Sequence, residues 1–369
     1  MAGTRKKYEV IGEGKYGCVH KPSLKCRKSR KRIQYKNKVS KIMETSEAIH
    51  ELSEYNIIDK IDRNREYFLG IPIQCSPQPS DTTKRAIRQC ESFDPKNIDH
   101  YNLLVMEYGG VHLKQFADKM NDAYRVTLNA PSERQKLTET MREFWTEVKR
   151  LFQGLVIFKK NGVIHYDLKP QNIVYNMDKN RVNFIDFGLM VETREALQDC
   201  ETSRVMTDFH WSFPPEIILA GKKTFRRTHG SPEKKQKLFG KFLRDIDDYQ
   251  DGKLNYFMEM TVERQRPPPD TTTNIKEQHI QEFRTMLFDT LDRHGYHEFV
   301  RLFLDKVDAY GLGIALIYVL HQTVPLMPPP AAAAMNALFL RMVNFNVFER
   351  VGPEEAQKIY DAIIRRYYP

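Results

Sequence analysis

No stretch of this 369-residue chain approaches the roughly 18 apolar residues that a membrane-spanning helix requires. The longest candidate, near Leu312 to Leu320, falls far short. The opening MAGTRKKYEV lacks the apolar stretch of a secretory signal, so the sequence predicts a cytoplasmic or nuclear protein with no membrane partner. Cysteine is scarce: five residues, an odd number, with no C-x-x-C pair. That scarcity argues against a disulfide framework and a cysteine metal site, and predicts reduced thiols. Internal repeats are absent, and the one biased tract, Pro328 to Ala334, reads as a stiff loop entering a helix. Acidic residues are outnumbered, 48 against 58 basic, which gives a net charge of +10. Such a balance could draw acidic substrates, nucleic acid or anionic membrane, but it speaks to association and not to fold. With 41% hydrophobic and 29% charged residues, the chain has the make-up of an ordinary globular protein, not a disordered one.

The order of patterns suggests two folding units. Apolar alternation through Tyr8 to Val19, broken by glycines, reads as strand, turn, strand. A further strand is expected at Lys38 to Met43 and an amphipathic helix at Glu47 to Ile61. From Leu113 onward helical spacing takes over, in Phe144 to Phe158, Ile280 to Phe303 and Ala356 to Tyr368. Two segments differ in composition. Between Lys21 and Lys41 lie ten basic residues and no acidic ones, a loop expected not to pack internally. No aromatic ladder interleaves it beyond Tyr35, which favours solvation over nucleic-acid binding. The charged stretch from Ile217 to Val307 predicts helices interrupted at Pro267 to Pro269, either with a surface role in recruiting a partner or substrate or as a cap on the larger helical unit.

Gly12-Glu13-Gly14-Lys15-Tyr16-Gly17-Cys18-Val19 forms G-x-G-x-x-G-x-V, in which glycines let a backbone approach phosphates and adopt dihedrals closed to other residues. A dinucleotide fingerprint would lead into a helix. Here Pro22 and the basic loop follow, so a strand-turn-strand flap is the better reading. Lys41 stands in an apolar strand, where its ammonium needs a partner; a phosphate is the natural one. Glu47, Glu51 and Glu54 are candidates to hold it. Glu54 is preferred, because Ile57, Ile58 and Ile61 follow it at helical offsets and place it beside the buried stripe.

The densest cluster is His165-Tyr166-Asp167-Leu168-Lys169-Pro170-Gln171-Asn172, followed by Phe184-Ile185-Asp186-Phe187-Gly188. Phosphoryl transfer needs a carboxylate to orient the attacking hydroxyl, a cation for the moving phosphate, and hard oxygen ligands for Mg²⁺. Asp167, Lys169, and the pair Asn172 and Asp186 supply these in turn.

These motifs, in this order, resemble the eukaryotic-type serine/threonine protein kinases. The resemblance runs from Tyr8 to the end of the chain and implies an α+β, bilobal fold: a small β-rich N-lobe (1–107) and a large helical C-lobe (108–369) with an insert at 217–307. It implies ATP with Mg²⁺, or Mn²⁺, and a protein substrate with a Ser or Thr acceptor. Ile11, Gly12, Gly14, Gly17 and Val19 would cover the nucleotide. Leu104-Val105-Met106-Glu107-Tyr108 looks like the hinge, with Met106 as gatekeeper and Glu107 and Tyr108 offering backbone groups to adenine. Phe213-Pro214-Pro215-Glu216 resembles the Ala-Pro-Glu that closes an activation segment, with Arg350 or Arg341 as partner of Glu216. Asp308 looks like the aspartate that braces the catalytic loop. The Gly-Cys-Val-His-Lys-Pro-Ser run with Cys26 also resembles kinases of large nucleocytoplasmic DNA viruses, which would place the protein in host cytoplasm or virion.

Departures from the pattern are informative. Tyr166 stands where the family usually has arginine, so the guanidinium that would pair with a phosphorylated activation segment is missing. Activity is therefore expected not to depend on Thr202, Ser203 or Thr207. Two other functions remain open on sequence: a catalytically inactive kinase-like scaffold, which usually lacks residues of the Lys41, Asp167 or Asp186 type, and a small-molecule kinase, which generally lacks the equivalents of Lys169 and the Pro-Pro-Glu closure.

Overall fold

The computed structural model describes residues 8–14, 17–27, 32–206, 208–247, 254–258, 261 and 269–369. The chain divides into two compact units, 1–109 and 110–369.

The N-terminal unit is built on a five-stranded antiparallel sheet in the order β1-β2-β3-β5-β4. Its strands are β1 (Glu9–Gly14), β2 (Gly17–Lys21), β3 (Lys38–Glu44), β4 (Ile73–Cys75) and β5 (Tyr101–Glu107). Helix α1 (Thr45–Ile61) follows β3 directly, and α2 (Asp81–Ile87) is capped by Ser80, whose hydroxyl accepts the Thr83 amide. Because side chains alternate across a strand, register sorts the residues onto two faces. Val19, Lys41 and Leu104 stand opposite one another and share one face with Gly17, Met43 and Met106. Cys18, Ile42, Leu103 and Cys75 form the matching row on the other.

That second face holds the unit's main core, which Leu24, Ala86, Ile87, Phe93, Ile98 and Val105 complete. It also corrects the expectation of reduced thiols. Cys18 is bonded to Cys90 and Cys26 to Cys75; only Cys200 is free, and it is buried. The partners lie 72 and 49 residues apart in sequence, so spacing gave no sign of them; the sheet brings them together. The expectation of a reducing compartment loses its cysteine argument with them. The basic segment also packs more than its charge suggested. Ser23 and Leu24 are buried, the Leu24 amide donates to Ser40 Oγ at 2.9 Å, and Lys25 Nζ lies 3.4 Å from the centre of the Tyr35 ring. Lys28, Arg30 and Lys31 lie outside the described residues.

The C-terminal unit is mostly helical. After β6 (Val111–His112) come α3 (Leu113–Val126) and the long α4 (Pro131–Lys160). Next follow β7 (Val163–Ile164), β8 (Ile173–Asn176), β9 (Arg181–Phe184), β10 (Val191–Glu192) and α5 (Thr193–Glu201). β6, β8 and β9 form one small sheet and β7 with β10 another. The rest is α6 (Lys222–Thr228), α7 (Pro232–Asp247), α8 (Asn255–Met258), α9 (Pro269–Thr285), α10 (Tyr296–Thr323), α11 (Pro329–Met342) and α12 (Pro353–Tyr367). Helix α10 is the spine: every residue from Val307 to Leu320 is buried, with α3, α4, α11 and α12 packed around it.

Two expectations need adjusting. The helix expected over Ile280 to Phe303 is broken: α9 ends at Thr285, a π turn and a 3-10 turn follow, and α10 starts after Gly295. Pro329 and Pro330 lie in the first turn of α11 rather than in a loop, where their missing amides cost nothing. The 217–307 insert turns an aromatic face inward. Phe242 packs on Phe209, Phe283 and Phe345, and Phe257 on Tyr310 and Phe345. Its charge is the outer half of amphipathic helices. Of the proline break, only Pro269 falls within the described residues, at the start of α9.

Candidate active site

In the N-terminal unit, Gly12 and Gly14 pair with Val19 and Gly17 across the β1–β2 hairpin, and a bulge between Val10 and Gly12 sets Ile11 out of register, partly exposed. The tip residues Lys15 and Tyr16 lie outside the described residues. None of the three glycines has a positive φ. What Gly17 provides is room. A Cβ there would fall 2.7 Å from Lys41 Cε and 3.1 Å from Met43 Cγ, so the missing side chain lets the lysine pass across the sheet face.

The carboxylate that takes Lys41 is Glu51, not Glu54 as expected: Lys41 Nζ donates to Glu51 Oε2 at 2.6 Å, with both side chains largely buried. The reason lies in helical phase. The buried residues of α1 are Ala48, Glu51, Tyr55 and Ile58, so Glu51 belongs to the stripe itself. Glu54 is one position off it, near His50 at 3.8 Å and Ser53. The offsets 48, 51, 55 and 58 are readable in the sequence, but Ile57 and Ile61 suggest a competing stripe beside Glu54.

At the end of β5, Met106 packs with Met43, Ala48, Leu52 and Leu104. Glu107 forms an ion pair with Lys38. The Tyr108 amide donates to Asn37 O at 2.9 Å, so of its two backbone groups the amide is committed within the unit. The Tyr108 ring lies under Lys21 Nζ at 3.4 Å.

In the C-terminal unit the catalytic cluster is tightly interconnected. Asp167 accepts from Lys169 Nζ at 3.0 and 2.8 Å, and Asn172 Nδ2 donates to both the carbonyl and Oδ2 of Asp167, each at 2.8 Å. The loop is held from below by Asp308 on α10, whose two oxygens accept the amides of His165 (2.8 Å) and Tyr166 (2.9 Å). Burial pushes the Asp308 carboxyl above its ordinary range, against His165 and those two amides, which favour the charged form. The expected brace is thus in place. One turn along the same helix, Gly311 is the residue that sequence reasoning did not weigh: a Cβ there would lie 2.3 Å from Leu168 O, so no other side chain lets α10 come this close.

Asp186 is brought beside this loop by its neighbour, since the Ile185 amide donates to Asn172 O at 3.0 Å and Ile185 O accepts from His165 Nε2 at 3.2 Å. Both Tyr166 (φ 66°) and Asp186 (φ 62°) are left-handed, a costly backbone conformation for such residues that clusters at functional sites. The donor set suits Mg²⁺. With Asn172 Nδ2 spent on Asp167, its Oδ1 is the oxygen that Asn172 can offer, Asp186 follows the residue whose amide donates to Asn172 O, and hard divalent ions take oxygen ligands.

Tyr166 replaces an ionic tie with an aromatic one: its ring meets Phe213 edge-on at 5.5 Å, and burial raises its phenol. Burial likewise pushes the Cys200 thiol up to about 12. Phe213 leads to Glu216, which is gripped by Arg350 in a bidentate pair at 2.7 and 3.0 Å, both side chains fully buried. Arg341, the alternative partner, pairs with Glu355 instead. Thr202 donates to Gln198 O at 2.9 Å and Ser203 Oγ accepts the Lys223 amide at 3.1 Å. Thr207 lies outside the described residues.

A glycine hairpin and a strand lysine paired to a helix carboxylate in one unit, and an Asp–Lys–Asn loop braced by a buried aspartate in the other, are the features of the kinase class of folds. The comparisons agree: residues 5–230 match the protein kinase domain, and the chain belongs to the eukaryotic-type serine/threonine protein kinase family. It is 32% identical over 130 residues to Mitogen-activated protein kinase 14 of Xenopus laevis, covering 34% of this chain and 33% of that one. Over 176 residues it is 28% identical to Serine/threonine-protein kinase prpf4B of Dictyostelium discoideum (45% and 19%). Over 138 residues it is 29% identical to CTD kinase subunit alpha of Schizosaccharomyces pombe (37% and 22%). The matched segments span a third or less of these relatives' own length.

Proposed function

We propose that this chain is an ATP- and Mg²⁺-dependent protein kinase that transfers the γ-phosphate to serine or threonine hydroxyls of proteins. The observation that carries the reading is the Asp167 carboxylate, oriented by Lys169 and Asn172 on a loop that Asp308 fixes from beneath. The acceptor hydroxyl would donate to Asp167, which aims its oxygen at the γ-phosphorus; the new P–O bond forms as the bond to the β-phosphate oxygen breaks, ADP leaves, and Asp167 takes the hydroxyl proton. Lys169, within hydrogen-bond distance of that carboxylate, would meet the charge of the moving phosphoryl group. Mg²⁺ held by Asn172 and Asp186 would spread the phosphate charge.

In the N-terminal unit we assign Lys41, held by Glu51, to the phosphates, and Ile11, Gly12, Gly14, Gly17 and Val19 to covering the nucleotide. Met106 and Glu107 are assigned to adenine, with the Glu107 carbonyl as its acceptor. The Lys169-Pro170 pair supports a Ser/Thr acceptor, and the buried Glu216–Arg350 closure supports a protein substrate over a small molecule. The test is phosphotransfer from labelled ATP to a generic protein with Mg²⁺, against Asp167→Asn and Lys41→Met. Phosphoserine or phosphothreonine made by wild type, and reduced at least about a thousandfold in the variants, is expected. Equal label in all three, or none in wild type, would end the proposal.

A further inference from the structure

Between Ile217 and Arg244 the chain carries nine Lys or Arg residues and one acidic residue, Glu233. The structure sorts these cations. Lys222 reaches Glu201 (3.8 Å), Lys235 pairs with Asp292 (2.7 Å) and Lys241 with Asp208 (2.7 Å). Lys223, Arg226 and Arg227 on α6, and Lys234, Lys237 and Arg244 on α7, are exposed, and none forms an ion pair among the described residues. The helices are anchored from behind: Phe225 is buried against Tyr296 and Phe299, and Phe239 and Phe242 are buried on α7. Six cations are therefore exposed on a fixed base.

Their position gives them a use. The Lys223 amide donates to Ser203 Oγ, and the Lys241–Asp208 pair ties α7 to the residue before Phe209. Four residues further on, Phe213 meets the ring of Tyr166, the immediate neighbour of Asp167. The basic face thus borders the segment that leads to the catalytic carboxylate. We infer that α6 and α7 form a docking surface for acidic peptides, so that this kinase prefers Ser or Thr acceptors flanked by runs of Asp and Glu. Arg226 and Arg227 offer planar forks that match carboxylates, and Lys223, Lys234 and Lys237 supply the surrounding field. A nucleic acid fits less well. Phe225 and Phe239 are buried, so these two helices present no aromatic platform for bases.

This inference rests on the proposed kinase activity, and the test separates the two. Three peptides share one serine acceptor and carry flanking Glu, Ala or Lys; initial rates are measured with wild type and with Lys223→Glu/Arg226→Glu/Arg227→Glu. Wild type should favour the Glu peptide over the Ala peptide by roughly tenfold in kcat/KM, chiefly through KM, and the margin should shrink as salt rises. The triple variant should lose that margin while its rate on the Ala peptide stays within about twofold of wild type. Equal wild-type use of the Glu and Ala peptides overturns the docking surface and leaves the kinase reading standing. No transfer to any peptide, alike in wild type and Asp167→Asn, removes both. If the triple substitution instead abolishes binding of a DNA or RNA oligonucleotide and leaves the peptide preference intact, the face belongs to nucleic acid and the inference fails.

Discussion

A lysine on an apolar strand is stable as a cation only when a carboxylate or phosphate compensates for its lost hydration. Lys41 has Glu51 for this, at 2.6 Å in a largely buried setting. Glu51→Gln keeps the size and removes the negative charge that Glu51 holds against the ammonium. Phosphotransfer should fall by roughly a hundredfold or more, as expected when about 3 kcal/mol or more of a buried pair is lost. Glu54→Gln should stay within about threefold of wild type. Rates on one protein substrate, with thermal unfolding to confirm that both variants fold, decide it; a larger loss at position 54 than at 51 would reverse the assignment. This pair also shows what could be read in advance. Lys41, Asp167, Lys169, Asn172 and Asp186 were legible because each sits within a short contiguous motif whose residue types the chemistry demands. The lysine's partner depends on the rotational phase of a separate helix, and the commitment of the Tyr108 amide depends on which strand lies alongside.

At the scale of elements, the sheet of the N-terminal unit separates two jobs by alternation alone. The face with Gly17, Val19, Lys41 and Met106 carries the residues assigned to the nucleotide, and the other carries the core and the row from Cys18 to Cys75. Glycine spacing and apolar alternation predicted the strands. They could not predict strand order, and without strand order the cysteines had no partners. The packing of the insert was hidden for a related reason: its charge is visible at once, whereas its aromatics find each other only when α7, α8, α9 and α10 pack. The disulfides lead to a measurable consequence. Each closes a loop of dozens of residues in the unfolded chain, so its removal should cost about 2–4 kcal/mol. Denaturant titrations of Cys18→Ser/Cys90→Ser and Cys26→Ser/Cys75→Ser should each show that loss relative to oxidised wild type. Cys200→Ser keeps both links, so its unfolding should respond to reductant as that of wild type does. Non-reducing peptide mapping should return the 18–90 and 26–75 links; alkylation of all five thiols in the native protein would refute the pairing.

Taken as a whole, the molecule carries a net charge of +10, yet its response to acid is governed by groups that surface charge does not reveal. His321, near the end of α10, is partly buried where α10 meets α11; its Nε2 lies 3.4 Å from Asn336 Oδ1 and its Nδ1 is buried without a partner. Burial lowers this imidazole from 6.5 to about 4, with the Asn336 contact opposing. His20 and His112 are lowered for the same first reason. Between pH 6.5 and 4 the unfolded chain binds a proton at residue 321 that the folded chain does not, so stability is full above 6.5 and falls as pH drops toward 4. A shift of that size corresponds to roughly 3 kcal/mol at the acid end. His321→Leu removes the titration and leaves the apolar contacts of α10 and α11 in place. Urea unfolding at pH 7 and pH 4.5 should show the wild type losing about 2–3 kcal/mol more than the variant between the two conditions. Parallel losses would mean that residue 321 is protonated in the folded state as readily as in the unfolded one, and that the acid sensitivity of the fold arises elsewhere.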